Sequence, residues 1–161
     1  MSLASTSIAF VGGGNMAGAL IGGLRRSGVA AARILVVEPQ AAQRERLRAE
    51  FGVDPLPAAT ATLAQAALVV WAVKPQSFVE AAEACAPHVA AAAQLSVMAG
   101  VRSDAIVAAT GSARVVRAMP NTPALIGRGI AGLYARPEVG AAERAAVEAL
   151  LAPTGATLWV E

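Results

Sequence analysis

The stretch FVGGGNMAGALIGGL, Phe10–Leu24, sets three consecutive glycines, Gly12 to Gly14, between an apolar run and a charge-free, alanine-rich helical pattern. The run before it, Ser7–Val11, reads as a strand, so Gly12-Gly13-Gly14-Asn15-Met16-Ala17 is a G-x-G-x-x-A turn that leaves a strand and opens a helix. Each small residue has a physical task there. The first glycine permits the tight turn, and the second lets backbone come close to a pyrophosphate with no Cβ in the way. Ala17, the third small residue, lets the helix pack closely on the strand. Free N–H groups and the partial positive charge of the helix N-terminus then attract the phosphates, so no cationic side chain is required. Asn15 and Met16 point towards the same pocket, with helix N-cap and core filler as their plainer roles.

Working outward, strands and helices alternate. Helices are expected at Asn15–Ser27, Gln40–Phe51, Ser77–Ala86 with Pro87 just beyond, Ser103–Thr110 with Ser103 as N-cap, and Ala141–Leu151, with a short helix at Thr62–Ala67. Strands are expected at Arg33–Val37, Leu68–Val73, Leu95–Met98, Arg114–Ala118, Ile130–Ala135 and Thr157–Val160, with a weak one near Val53. Alternation of this kind implies βαβ units, and a run as apolar as LVVWAV implies a sheet covered on both faces. The expected fold class is α/β: a doubly wound (Rossmann) mostly parallel sheet with helices on both faces. Ligands of that class sit at the carboxyl ends of the strands, where the strand order reverses.

Candidate site residues fall at those ends. Glu38 closes the second strand, where a carboxylate accepts hydrogen bonds from a ribose 2′-hydroxyl and repels a 2′-phosphate. Arg44 and Arg46, one turn into the next helix, could swing to a 2′-phosphate, so NADP or NAD both stay open as the cofactor. Ala72, Val73, Lys74 and Pro75 end the strand LVVWAV, and Ala99 and Gly100 follow the next. Small residues at these points let backbone approach the ribose and ring of a nicotinamide. Lys74 is read as a turn residue rather than a catalytic group. Asn121, in the MPNTP loop of Met119–Pro123, faces the same crevice, to bond the nicotinamide or substrate or only to cap its loop. No catalytic side chain is assigned.

Composition excludes other classes. The chain has 161 residues and a formal net charge of +2, with its basic residues scattered, which is no nucleic-acid footprint. No stretch offers the roughly 20 apolar residues of a membrane span. A single cysteine, Cys85, excludes a disulfide framework and a multi-cysteine metal site and reads as a core filler. His88, after a proline and beside an alanine run, reads as a surface residue rather than a base, and Trp71 and Trp159 read as packing. Residues 1–6 read as a leader or cloning remnant, residues 7–161 as one domain, and the cytoplasm as the default location. Charged residues are 15%, below the usual value of about 25%.

The segments FVGGGNMAGALIGGL, AVKPQ, SVMAGV and VVRAMPNTPALIGRGIAGLYA together resemble pyrroline-5-carboxylate reductase, in order and spacing, from about Ser7 to Glu161. The resemblance implies reduction of a cyclic imine to L-proline with NAD(P)H. Gly12 to Ala17 would cradle the pyrophosphate and Glu38 would meet the adenosine ribose. Ala72 to Pro75, with Ala99 and Gly100, would line the nicotinamide, and Asn121 would sit near its ring. Two positions depart from the family: it often has a small polar residue where Glu38 stands, and an asparagine where this chain has Ala59. It also implies a homo-oligomer and an all-helical domain beyond Glu161, absent here, that dimerises and supplies most of the substrate pocket. A related imine or β-hydroxyacid reductase and a non-catalytic dinucleotide-binding module are the alternatives.

Overall fold

The computed structural model describes residues 1–161. A seven-stranded sheet runs in the order β2-β1-β3-β4-β5-β6-β7. The strands are β1 (Ile8–Val11), β2 (Ile34–Val37), β3 (Leu68–Trp71), β4 (Ala93–Ser96), β5 (Val115–Met119), β6 (Gly129–Ala135) and β7 (Gly155–Trp159). The helices are α1 (Asn15–Arg26), α2 (Ala41–Phe51), α3 (Phe78–Val89), α4 (Ser103–Thr110) and α5 (Ala141–Leu151). The doubly wound α/β class is as expected. β1 through β5 are parallel, with Phe10 opposite both Val36 and Val70. The order reverses at β1, which places the crevice between the ends of β1 and β3.

Alternation along the strands splits the core in two. Ile8, Phe10, Val36, Val70 and Leu95 face α1, α2 and α5, where they meet Leu20, Ile21, Leu47 and Leu150. Ala9, Val11, Val69 and Trp71 face α3 and α4, where they meet Phe78, Cys85 and Ile106. β1 and β3 are buried along their whole length, which is why they carry no polar alternation, whereas β4, equally buried, includes Gln94 and Ser96. Burial pushes the Cys85 thiol up to about 11, in keeping with an inert packing residue. Trp71 packs edge-on against Phe78. Trp159 instead carries Arg144 over its ring, 4.8 Å from the centroid. β6 runs antiparallel to β5 because segment 120–128 is shorter than the dozen or so residues a parallel crossover needs. α5 supplies that crossover, so β7 returns parallel to β6.

Several local expectations shift. β4 begins two residues earlier than its apolar pattern suggests, because Gln94 is buried and fully bonded. Its amide accepts from Trp71 Nε1 at 2.8 Å and donates to the carbonyls of Val89 and Ala92. α3 continues through Pro87 to Val89, which is buried; the proline forfeits one N–H bond in the last turns. Near Val53 no strand forms. Only Leu56 bridges Val37, since Pro55 and Pro57 on either side have no N–H to extend a ladder. The expected helix at 62–67 is a 3-10 turn over Ala61–Gln65. Arg102, not Ser103, takes the N-cap of α4. The residues before β1 form a 3-10 turn, Leu3–Ser5, with Leu3 packed against the core.

Gly12 has φ +99°, and a Cβ there would lie 2.5 Å from the carbonyl oxygen of Ala72. Left-handed strain and that clash together make Gly12→Ala cost about 3 kcal/mol of stability. Thermal denaturation beside the parent protein measures the loss; an unchanged midpoint would contradict this packing.

Candidate functional site

The turn after β1 is held by its neighbours before any ligand is considered. Gly12 N–H donates to Val37 O at 2.9 Å, and Ala72 N–H donates to Val11 O at 2.8 Å, so the ends of β1, β2 and β3 are locked side by side. The three glycines differ in what surrounds them. Gly12 presses on the Ala72 carbonyl. A Cβ on Gly13 would lie 2.7 Å from Leu47 and 3.3 Å from Glu38. A Cβ on Gly14 would meet nothing within 4 Å. The fold therefore explains the first two glycines, and the third opens onto free space at the head of α1.

Gly14 is the N-cap of α1 and has no side-chain cap. The amides of Gly14, Asn15, Met16 and Ala17 donate to no protein acceptor, and the first helical bond runs from Gly18 N–H to Gly14 O. Four unpaired donors at a helix N-terminus, with no acidic residue in its first turn, form an anion-attracting corner. Ala17 is fully buried beneath the turn and lets α1 sit close on the sheet. Asn15 is exposed, and Met16 lies partly against the core.

Glu38 closes β2 with only 8% of its surface exposed. Its carboxylate accepts from Gly13 N–H at 3.2 Å and from Gln40 N–H at 3.1 Å. Arg44 donates to the carbonyls of Glu38 and Pro39, at 3.0 and 2.7 Å. A buried carboxylate and a guanidinium thus share the corner beyond β2. Arg46 donates to Gly13 O at 3.2 Å and to Gln43 at 2.9 Å. That long-range contact has no local sequence signal.

The remaining candidates lie at the ends of the parallel strands. Ala72 and Val73 are half-buried just past β3. Lys74, the only lysine of the chain, is exposed and caps the 3-10 turn that Pro75 begins. Ala99 and Gly100 are exposed after β4, and Gly100, with φ +74°, has open space where a Cβ would stand. Asn121 is exposed, and its side-chain oxygen accepts from Ile130 N–H at 3.0 Å, so it ties its loop to the start of β6. On the α3 side of the turn a cleft of about 340 Å³ is lined by Gly12, Pro39, Pro57, Ala59, Val73 and Glu80, among others. Its apolar walls and its place at the order reversal suit a flat ring. A larger hollow of about 460 Å³ runs along α1 from Asn15 and Gly18 to Arg26, with Arg46, Glu50 and Leu125 among its other walls. No cluster of three or more His, Cys, Asp or Glu groups can hold a metal, and no helix is long and apolar enough to cross a membrane.

The chain matches the family described as NADP oxidoreductase coenzyme F420-dependent over residues 7–100. It is 41% identical over 161 residues to the pyrroline-5-carboxylate reductase of Pseudomonas aeruginosa, across 99% of this chain and 59% of that protein. Identity to the pyrroline-5-carboxylate reductase of Haemophilus influenzae is 38% over 158 residues, across 95% of this chain and 57% of that one. The solved pyrroline-5-carboxylate reductase of Coxiella burnetii superposes with a TM-score of 0.89 at 30% identity, covering 98% of this chain and 59% of that one. The chain therefore spans somewhat under three fifths of the length of these relatives. With its glycine turn, its strand order and its matched residues in agreement, the chain belongs to the NADP oxidoreductase coenzyme F420-dependent family, with pyrroline-5-carboxylate reductases as relatives along nearly its whole length.

Proposed function

We propose that this chain is the dinucleotide-binding part of a pyrroline-5-carboxylate reductase, in which NADPH or NADH is the hydride donor and the cyclic imine is the small-molecule substrate. The observation that carries the reading is the pairing of Gly14 with four unpaired amides at the head of α1, set where the strand order reverses. The donor set fits a pyrophosphate: it is backbone N–H only, with Gly14 leaving room for the phosphate oxygens. The apolar cleft beside Pro57 and Ala59 would take the adenine. Ala72 to Pro75, Ala99, Gly100 and Asn121 would flank the nicotinamide half. A reduced nicotinamide would supply the hydride, and the protein's part would be to align donor and acceptor carbons. The relatives are longer than this chain, and on this reading residues matching their remaining length complete the substrate site in a homo-oligomer. Calorimetric titration of the 161-residue chain with NADH and NADPH tests the reading, and binding of neither would refute it.

The choice between the two cofactors rests on the corner beyond β2. The Glu38 carboxylate would accept a ribose 2′-hydroxyl and repel a 2′-phosphate, while Arg44 beside it stays available to that phosphate. Glu38→Ser is expected to shift the NADH/NADPH affinity ratio towards NADPH by about tenfold, equivalent to about 1.4 kcal/mol. Paired titrations with both cofactors read the ratio directly. An unchanged ratio would leave Glu38 no part in cofactor choice.

A further inference from the structure

The two peptide units that meet at Gly13 are each gripped by a side chain from a different part of the chain, the Gly12–Gly13 unit through its N–H and the Gly13–Gly14 unit through its carbonyl. Gly13 N–H donates to the Glu38 carboxylate, and Gly13 O accepts from the Arg46 guanidinium, each at 3.2 Å. Glu38 is anchored in turn by Gln40 N–H, and Arg46 by the side-chain oxygen of Gln43. The Gly13–Gly14 peptide is trans, since the chain has no cis bonds. In a trans peptide the carbonyl and the following N–H point in opposite directions within one plane. Holding Gly13 O towards Arg46 on α2 therefore turns Gly14 N–H away from α2, and that N–H has no acceptor within the protein. Gly13 has no side chain to restrict its backbone, so without a grip on each side of its Cα the two peptide planes are free to rotate.

We propose that Glu38 and Arg46 are positioning residues for the phosphate-binding turn: Glu38 holds the peptide before Gly13 and Arg46 the peptide after it, and together they aim the Gly14 N–H at the pyrophosphate. The proposal rests on the dinucleotide reading above. It assigns Arg46 a task other than direct attraction of phosphate, and Glu38 a second task besides reading the ribose. Pre-orientation matters because a donor that must first turn gives up part of its bond to ordering.

The test uses Arg46→Ala and Arg46→Gln in the 161-residue chain. Glutamine loses the charge but keeps an N–H donor for the Gly13 carbonyl. Arg46→Ala is expected to weaken NADH and NADPH equally, by about tenfold, the scale of losing an ordering partner behind a ligand-holding group. Arg46→Gln is expected to recover most of that affinity, at low and high salt alike. In the ligand-free protein, the amide NMR signals of Gly13 and Gly14 should shift and broaden in Arg46→Ala with the melting temperature little changed, and also in Glu38→Ala, which in addition lowers the melting temperature because two backbone N–H groups lose their acceptor. Glutamine as poor as alanine would mean that Arg46 acts through charge, and would overturn the clamp. So would a changed NADH/NADPH ratio in Arg46→Ala, or glycine signals identical to the parent's. If the parent chain binds neither cofactor, the dinucleotide reading fails, and the glycine signals of the free protein alone decide whether the clamp exists.

Discussion

Gly14→Val is expected to remove dinucleotide binding while leaving the fold intact, a separation that neither neighbouring glycine permits. Gly14 has φ −80° and ψ −160°, which valine adopts readily, and no protein atom lies within 4 Å of the place its Cβ would take. The valine methyls would instead enter the space in front of the four unpaired amides, where phosphate oxygens belong. Excluding the phosphates from that corner should raise Kd at least about a hundredfold, or about 2.7 kcal/mol. Melting temperature should move by a degree or two at most. Gly12→Ala behaves in the opposite way: its Cβ meets the Ala72 carbonyl, so the fold itself suffers. Calorimetry and thermal denaturation of the two variants therefore separate a ligand-facing glycine from a packing glycine. Equal affinity of Gly14→Val and the parent for NADPH would show that the corner is not a phosphate site.

Turnover is the larger expected difference. The 161-residue chain should bind cofactor yet reduce pyrroline-5-carboxylate below detection, whereas the full-length Pseudomonas aeruginosa relative should reduce it readily under the same conditions. On the proposed reading the groups at the strand ends serve a dinucleotide, and none is placed to grip the substrate carboxylate from two sides. Arg117 lies within β5, opposite Tyr134 of β6, with its Nε buried and unpaired. Arg128 is exposed beyond the 3-10 turn Thr122–Ile126. Lys74 is a single exposed cation on a turn, which attracts a carboxylate without fixing its direction. An imine not held against the nicotinamide loses the benefit of orientation, up to about 7–11 kcal/mol of the barrier. The chain spans 59% of that relative's length, and the remaining length is where the proposal places the missing grip. A steady-state assay of both proteins decides this. Comparable rates would locate the substrate site within residues 1–161 and overturn the division.

The local pattern of residues was sufficient for the doubly wound α/β class and for the turn that leaves β1 and opens α1. Gly12 to Ala17 announced a strand-to-helix turn because only small residues tolerate a tight bend followed by close helix packing. Runs such as Leu68–Trp71 announced buried parallel strands because a sheet covered on both faces has no polar side. Glu38 was legible as an acid at a strand end. What the pattern could not carry was decided by contacts between distant segments. The apolar pattern starts a strand only at Leu95, yet Gln94 lies in β4 because Trp71 and two carbonyls satisfy its amide in the core. Glu38 reads as a solvent-facing acceptor, yet both its oxygens are occupied by backbone N–H groups, one of them 25 residues away. Arg46 reads as a free cation of an amphipathic helix, yet it holds a carbonyl 33 residues earlier. Sequence periodicity records which face of an element is apolar, and so it determined the sheet, its covering helices and the glycine corner. Which polar groups meet across that corner depends on how β1, β2 and α2 pack against one another, so only the tertiary structure decided that the glycine turn is clamped from both sides.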